Sequence, residues 1–142
     1  MADFGVGTFF TLAKAAYSAY KAFDAAGPSF RDLAADTKDL RAHLVSTGKQ
    51  VETCRYKLDE DLKDRVDRCA RRCERGVRKA QALLDEYPSL KSKNKRFWEQ
   101  LNAAMFQDVE SLRTSLRDCV GWLTRTEVSI TAYVLTSGNF LE

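Results

Sequence analysis

Residues 4–26 read FGVGTFFTLAKAAYSAYKAFDAA, and this stretch decides the class of fold. Only three of these residues are charged: Lys14, Lys21 and Asp24. Apolar side chains recur at steps of three and four, the spacing that places them on one face of an α-helix. Further apolar residues widen that face until little of the helix is polar. Such a helix must bury most of its surface in a core, or meet lipid or a partner protein.

The rest of the chain predicts three more helices. We expect the first helix to span residues 8–25 and to end at Gly27-Pro28, a strong helix break. Ser29 is the predicted N-cap of the second helix, and Asp32 in its first turn suits the helix dipole. Gly48 predicts a bend in the second helix or an end before Cys54.

Each later helix carries a row of core positions spaced three and four residues apart, which is typical of helices packed in a bundle. The row of the second helix is Phe30, Leu33, Thr37, Leu40, Leu44, Thr47, Val51, Cys54 and Leu58. The row of the third is Leu62, Val66, Cys69, Cys73, Val77, Ala80, Leu84 and Tyr87, ended by Pro88. The last begins near Phe97 and Trp98, with a jog expected at residues 103–107, and continues to Val134.

These patterns predict one all-α domain over residues 1–142. No segment shows the sustained alternation with turn signals that predicts a sheet. Hydrophobic residues make up 44% of the chain and charged residues 30%, which indicates a globular protein. We therefore expect an antiparallel four-helix bundle with coiled-coil-like packing and room for one short additional helix.

The four cysteines, Cys54, Cys69, Cys73 and Cys119, all fall on the predicted core rows. We interpret them as reduced packing thiols of a cytoplasmic protein, because no basic signal-peptide region precedes the first apolar stretch. The alternative is a zinc site built on Cys69 and Cys73. The chain lacks the close Cys-x-x-Cys knuckles that such sites usually use, so we expect neither a metal nor another cofactor.

The sequence offers little to catalysis. His43 is the only histidine, and it lies near the edge of a core row with no partner that would position it for acid–base chemistry. The chain has no glycine-rich phosphate loop, no Ser/His/Asp order and no Glu-x-x-His pair. We expect a protein that is not an enzyme.

Basic residues are concentrated between residues 63 and 79, with a second cluster after residue 90. The first cluster includes one stripe along the third helix, formed by Arg68, Arg72, Arg75 and Lys79. Both clusters are candidates for contact with anionic lipid headgroups. The alternative is an ordinary solvated helix face. The net charge of +3 is too small to indicate nucleic acid, and no aromatic residues are interleaved with the stripe. The candidate lipid-contact residues are Arg68, Arg72, Arg75, Lys79, Lys93 and Lys95.

The opening Phe4-Gly5-Val6-Gly7 resembles the start of a helical domain common in filamentous fungi, with Thr8 where that family often has an acidic residue. The stretches 84–90, 95–98 and 112–116 resemble its second half. In that family the domain lies at the N-terminus of immune-type receptors that carry NACHT-like ATPase and repeat modules. It is similar to the HeLo-type cell-death bundles of fungi. No such ATPase or repeat region follows within these 142 residues.

The resemblance implies an effector domain that self-associates on activation and perturbs membranes through its first helix. The expected outcome is cell death, as in innate immunity or heterokaryon incompatibility, with recruitment from the cytoplasm to the plasma membrane. The rival reading is an adaptor that recruits another helical protein and never contacts lipid. The candidate membrane or oligomerisation residues are Phe4, Gly5, Val6, Gly7, Phe9, Phe10, Leu12, Tyr17 and Tyr20.

Overall fold

A computed structural model describes residues 6–86 and 103–137. In this part of the chain four α-helices and one short 3-10 turn account for the regular structure, and no strand occurs. The elements are α1 (Val6–Ala25), the 3-10 turn (Pro28–Phe30), α2 (Arg31–Cys54), α3 (Glu60–Glu86) and α4 (Ala103–Ser137). The predicted all-α bundle is confirmed.

The four helices pack around one core, and each runs opposite to the helix before it in the chain. Helix α1 packs mainly on α2 and also on α3, while α4 packs on both α2 and α3. Pairs such as Asp36 with Arg113 and Thr47 with Glu127 show that α2 and α4 run parallel. Lys79 with Ser115 and Arg72 with Trp122 show that α3 and α4 run antiparallel.

The connection between α1 and α2 differs from the prediction. Ser29 is not an N-cap, because it lies inside the 3-10 turn and α2 begins only at Arg31. Gly27 has a φ of 110°, which L side chains rarely adopt, and Pro28 takes the first position of the turn. Phe30, 1% exposed, packs into the core between the turn and α2. Phe30 is the residue at the N-cap position of α2, so the helix begins one residue later than a cap at Ser29 predicts.

Helix α2 neither ends nor breaks at Gly48; it continues to Cys54. A Cβ on Gly48 would lie 3.1 Å from the Phe9 Cβ and 3.2 Å from the Phe10 ring. The glycine therefore permits the close approach of α1 rather than ending the helix. Leu58 is buried outside α2, just before α3, whose first turn is capped by Asp59 through a 2.8 Å hydrogen bond from the Leu62 amide.

Within the described residues, the rows predicted for the second and third helices are buried except for the half-buried Cys54. Thr37 and Thr47 are among the buried residues, and their hydroxyls both donate hydrogen bonds. Helix α4 is continuous from Ala103, so the jog predicted at residues 103–107 is wrong. Tyr87, Phe97, Trp98 and the segment 89–94 lie outside the described residues.

Candidate functional site

Helix α1 divides the predicted membrane or oligomerisation residues between core and surface. Phe9 is fully buried and Leu12 is buried, whereas Phe10 and Tyr20 are half-buried and Tyr17 is 43% exposed. Gly7 is exposed, and a Cβ added there would meet nothing within 4 Å. Phe4 and Gly5 lie outside the described residues, as does the side chain of Val6.

The contacts of α1 with α2 are apolar or aromatic. Besides the packing of Phe9 and Phe10 on Gly48, the Tyr17 ring lies 5.2 Å from the Arg41 guanidinium and the Tyr20 ring 5.7 Å from the Lys38 ammonium. Within residues 6–86 and 103–137, no α1 side chain forms a hydrogen bond or ion pair with another helix. In the part of the chain that the structure describes, helix α1 is therefore held by packing and cation–π contacts.

The interface of α2 with α4 contains polar contacts at both of its ends. Arg113 Nε donates a 2.9 Å hydrogen bond to Asp36 Oδ2, and both side chains are less than one-fifth exposed. This contact raises the pKa of Arg113 further above its ordinary value. Farther along, Thr47 donates a 2.7 Å hydrogen bond to Glu127, and the Gln50 amide donates to Thr131 and to the Glu127 carbonyl.

The basic stripe predicted from the sequence follows the groove between α3 and α4. Arg68 and Arg72 line one part of the groove, and Arg72, Arg75 and Lys79 line the other, which has a volume of about 540 Å³. Lys79 donates a 2.9 Å hydrogen bond to Ser115. The side chains of the stripe are therefore brought together, while Lys93 and Lys95 lie outside the described residues.

Two groove residues on α4, Trp122 and Arg125, were missed by the sequence analysis. The Arg72 guanidinium lies 4.9 Å from the centre of the Trp122 ring, and Arg125 lines the groove beside Arg68. The spacing of Trp122, Arg125 and Ser129 at three and four residues places them on one helix face. Only the pairing of α3 with α4 would have joined that face to the stripe.

Two thiols, those of Cys69 and Cys119, line this groove, and the Cys73 thiol packs against them in the core. Cys69, Cys73 and Cys119 are buried, whereas Cys54 is half-buried, and all four are free. The pKa of Cys73 is raised, first by its hydrogen bond with Cys119 and then by that with Cys69 and by burial. A Cβ on Gly76 would lie 2.6 Å from the Cys119 sulfur. Burial and close packing agree with the predicted role of these thiols in the core.

Other predicted features take ordinary positions. On α3, residues of opposite charge four positions apart form the ion pairs Asp61–Arg65 and Asp67–Arg71, at 3.6 and 3.0 Å. His43 is half-buried and lies 3.0 Å from the Asp39 carbonyl on its own helix. Among the residues described, no group of three or more His, Cys, Asp or Glu side chains is placed to hold a metal ion. In the same part of the chain, no helix has both the length and the apolar character required to cross a bilayer.

Comparison with known proteins finds no matching family model, and no curated protein or solved structure matches the chain. The site must therefore be interpreted from its own geometry. The candidate site consists of an apolar helix, α1, for which the described residues show no side-chain hydrogen bond or ion pair to another helix, and of a basic groove on the α3–α4 side.

Proposed function

We propose that this domain is the effector or signalling domain of a fungal receptor of the NACHT type, and that it is not an enzyme. In this proposal activated copies self-associate, α1 leaves the bundle, and its apolar face perturbs a membrane to cause cell death. The observation that carries the proposal is the attachment of α1, which rests on packing and cation–π contacts with no polar tie to another helix.

The physical reason lies in what can replace those contacts. Burial of an aromatic side chain such as Phe9 contributes about 1.5–3 kcal/mol, and the burial is non-directional. Lipid or an apolar face of another copy can supply the same burial after α1 is released. Ion pairs and hydrogen bonds of fixed geometry could not be exchanged in this way, because each requires a matched partner.

The basic stripe supports the membrane part of the proposal. Arg68, Arg72, Arg75 and Lys79 lie in one groove at the surface, and each cation near an anionic membrane contributes about 1 kcal/mol. Such attraction would bring the domain to the plasma membrane before α1 is released. The alternative function is an adaptor that recruits another helical protein without contacting a membrane.

The test is deletion of residues 1–7, followed by measurement of dye leakage from anionic vesicles and of cell death in a fungal host. The truncated α1 keeps Phe9 against Gly48, and removal of Gly7 disturbs no neighbour, so we expect a folded domain. The proposal predicts loss of leakage and of cell death. Asp3→Ala is the control in the same segment, because it removes a charge but no apolar area.

Full leakage and cell death after the deletion would contradict release and insertion of α1. Signalling by the truncated domain, without leakage by either protein, would favour the adaptor. Circular dichroism and size-exclusion chromatography of both variants separate loss of activity from loss of fold.

A further inference from the structure

Four arginine side chains surround one recess in the groove between α3 and α4. Arg65, Arg68 and Arg72 are spaced three and four residues apart on α3, so they share one helix face, and Arg125 lines the recess from α4. The recess has a volume of about 320 Å³ and lies at the lower end of the range for small-ligand sites. We call it the arginine recess.

No carboxylate from the described residues lines the arginine recess. Glu127 is adjacent in sequence to the recess residue Thr126, but its carboxylate accepts the hydrogen bond from Thr47 on α2. Arg65 has an exposed partner in Asp61 at 3.6 Å, whereas Arg68 and Arg125 have no ion pair within residues 6–86 and 103–137. Four cations gathered around a recess whose described lining contains no carboxylate repel one another, and a bound anion would relieve that repulsion.

One of the guanidinium groups is held by an aromatic contact, because Arg72 lies 4.9 Å from the centre of the Trp122 ring. Arg125 Nη2 lies beside the backbone of Gly121, which has no side chain to exclude it from this side of the recess. Preorganised guanidinium groups favour phosphate, which they bind through paired hydrogen bonds. Among the residues that the structure describes, Trp122 is the only aromatic one that lines the recess, and Arg72 already covers a face of its ring, which disfavours stacking of a nucleobase.

We propose that the arginine recess binds a compact ligand with clustered phosphate groups, either a soluble polyphosphate or the polyphosphorylated headgroup of a lipid. The site is defined by Arg68 and Arg72 of α3 together with Arg125 of α4. It therefore differs from the basic stripe, which lies on α3 alone, because it requires both helices. It does not depend on release of α1, and it applies equally to an effector and to an adaptor.

The test measures binding of inorganic tripolyphosphate to the whole chain by isothermal titration calorimetry. We expect one ligand per chain and a rise in melting temperature with ligand concentration. Arg68→Gln and Arg125→Gln should each weaken binding about tenfold or more, because each removes charge-assisted hydrogen bonds. Arg71→Gln is the matched control. It removes the same charge from an exposed side chain that pairs with Asp67 and does not line the recess, so binding should change less than threefold.

A second arm distinguishes the two sources of the ligand. Vesicles that contain a phosphatidylinositol bisphosphate are compared with phosphatidylserine vesicles of equal surface charge, with and without tripolyphosphate as competitor. Selective binding that tripolyphosphate displaces identifies a lipid headgroup, whereas binding of tripolyphosphate alone identifies a soluble ligand.

Absence of binding by both phosphate probes would overturn the proposal, as would equal losses in Arg71→Gln and Arg68→Gln. An oligonucleotide that binds more tightly through the same residues would also overturn it. Vesicle leakage measured on Arg125→Gln, in which residues 1–7 are intact, keeps the outcome separate from that of the proposed function.

Discussion

Helices α1 and α4 both pack on α2, but by different kinds of contact. The α1 side is aromatic and apolar, with Phe9 and Phe10 against a glycine and only cation–π contacts besides. The α4 side is a series of ion pairs and hydrogen bonds that begins at Asp36–Arg113 and ends at Gln50–Thr131. Directional contacts fix the register of two helices, whereas apolar contacts can be exchanged for others. We call the α4 side of α2 the fixed interface and the α1 side the replaceable interface.

The largest effect should come from the centre of the replaceable interface. Phe9→Ala removes a fully buried ring, so we expect the free energy of unfolding to fall by about 3–5 kcal/mol. Urea denaturation followed by circular dichroism measures the change. Phe10→Ala is the adjacent control, and it should cost clearly less because Phe10 is only half-buried. Equal losses at the two positions would show that Phe9 is not the centre of the α1 interface.

The second-largest loss of unfolding free energy should come from the fixed interface between α2 and α4. Asp36→Ala leaves the half-buried Arg113 without its 2.9 Å partner, so we expect unfolding free energy to fall by about 1–3 kcal/mol. Asp39→Ala is the matched control, one helical turn farther on. Its carboxylate is 59% exposed, so its removal should change stability by less than about 0.5 kcal/mol. A loss at Asp39 as large as that at Asp36 would mean that the buried pair does not fix the α2–α4 register.

The apolar core positions could be predicted from the sequence, whereas the polar contacts between α2 and α4 could not. Periodicity identified Leu33, Leu40 and Leu44 as core because apolar residues must leave water whichever helix they meet. The partner of Arg113 is 77 positions away along the chain, and surface charges on α2 offered several equivalent candidates. Only the parallel packing of α2 and α4 selects Asp36 among them.

The role of Gly48 could not be predicted from the sequence either. From sequence, Gly48 indicated a weak point in α2, since glycine lowers helix propensity. In the fold, Gly48 is a point where α1 approaches α2 closely. Helix propensity contains no information about such contacts between helices. The arginine stripe was visible on α3 alone, but the recess also needs Arg125, and that juxtaposition depends on how α3 meets α4.

Gly48→Ala provides a finer test of the close approach of α1. The added Cβ lies 3.1 Å from the Phe9 Cβ, which cannot move without its backbone, so packing worsens. The gain in helix propensity, about 1 kcal/mol, offsets part of that loss. We expect a net destabilisation of about 1 kcal/mol or less, measured by thermal and urea unfolding.

Gly7→Ala is the control for this propensity gain. It adds the same methyl group to α1 where nothing lies within 4 Å, so it should be neutral or stabilising by up to about 1 kcal/mol. If Gly48→Ala stabilised the protein as much as Gly7→Ala, α1 could move to accommodate the added methyl group without a loss of packing energy. The close approach of α1 would then not require glycine at position 48.

The smallest effect should come from the directional contacts of α1. Tyr17 lies 5.2 Å from Arg41 and 5.4 Å from Lys21, and its side chain is 43% exposed. Tyr17→Leu keeps most of the apolar volume and removes the cation–π contacts, which contribute about 0.5–1 kcal/mol at exposed sites. We therefore expect a loss of less than about 1 kcal/mol, below that of Asp36→Ala in the same urea titration.

Tyr56→Leu is the matched control for Tyr17→Leu. Tyr56 is 87% exposed, and its cation–π contact is with the adjacent Arg55, so no helix interface depends on it. Its replacement should leave unfolding free energy unchanged within about 0.5 kcal/mol. The decisive quantity is the cost of Tyr17→Leu relative to Asp36→Ala. If the two costs were equal, α1 would be tied to α2 as directionally as α4 is, and a replaceable α1, on which the proposed release depends, would be excluded.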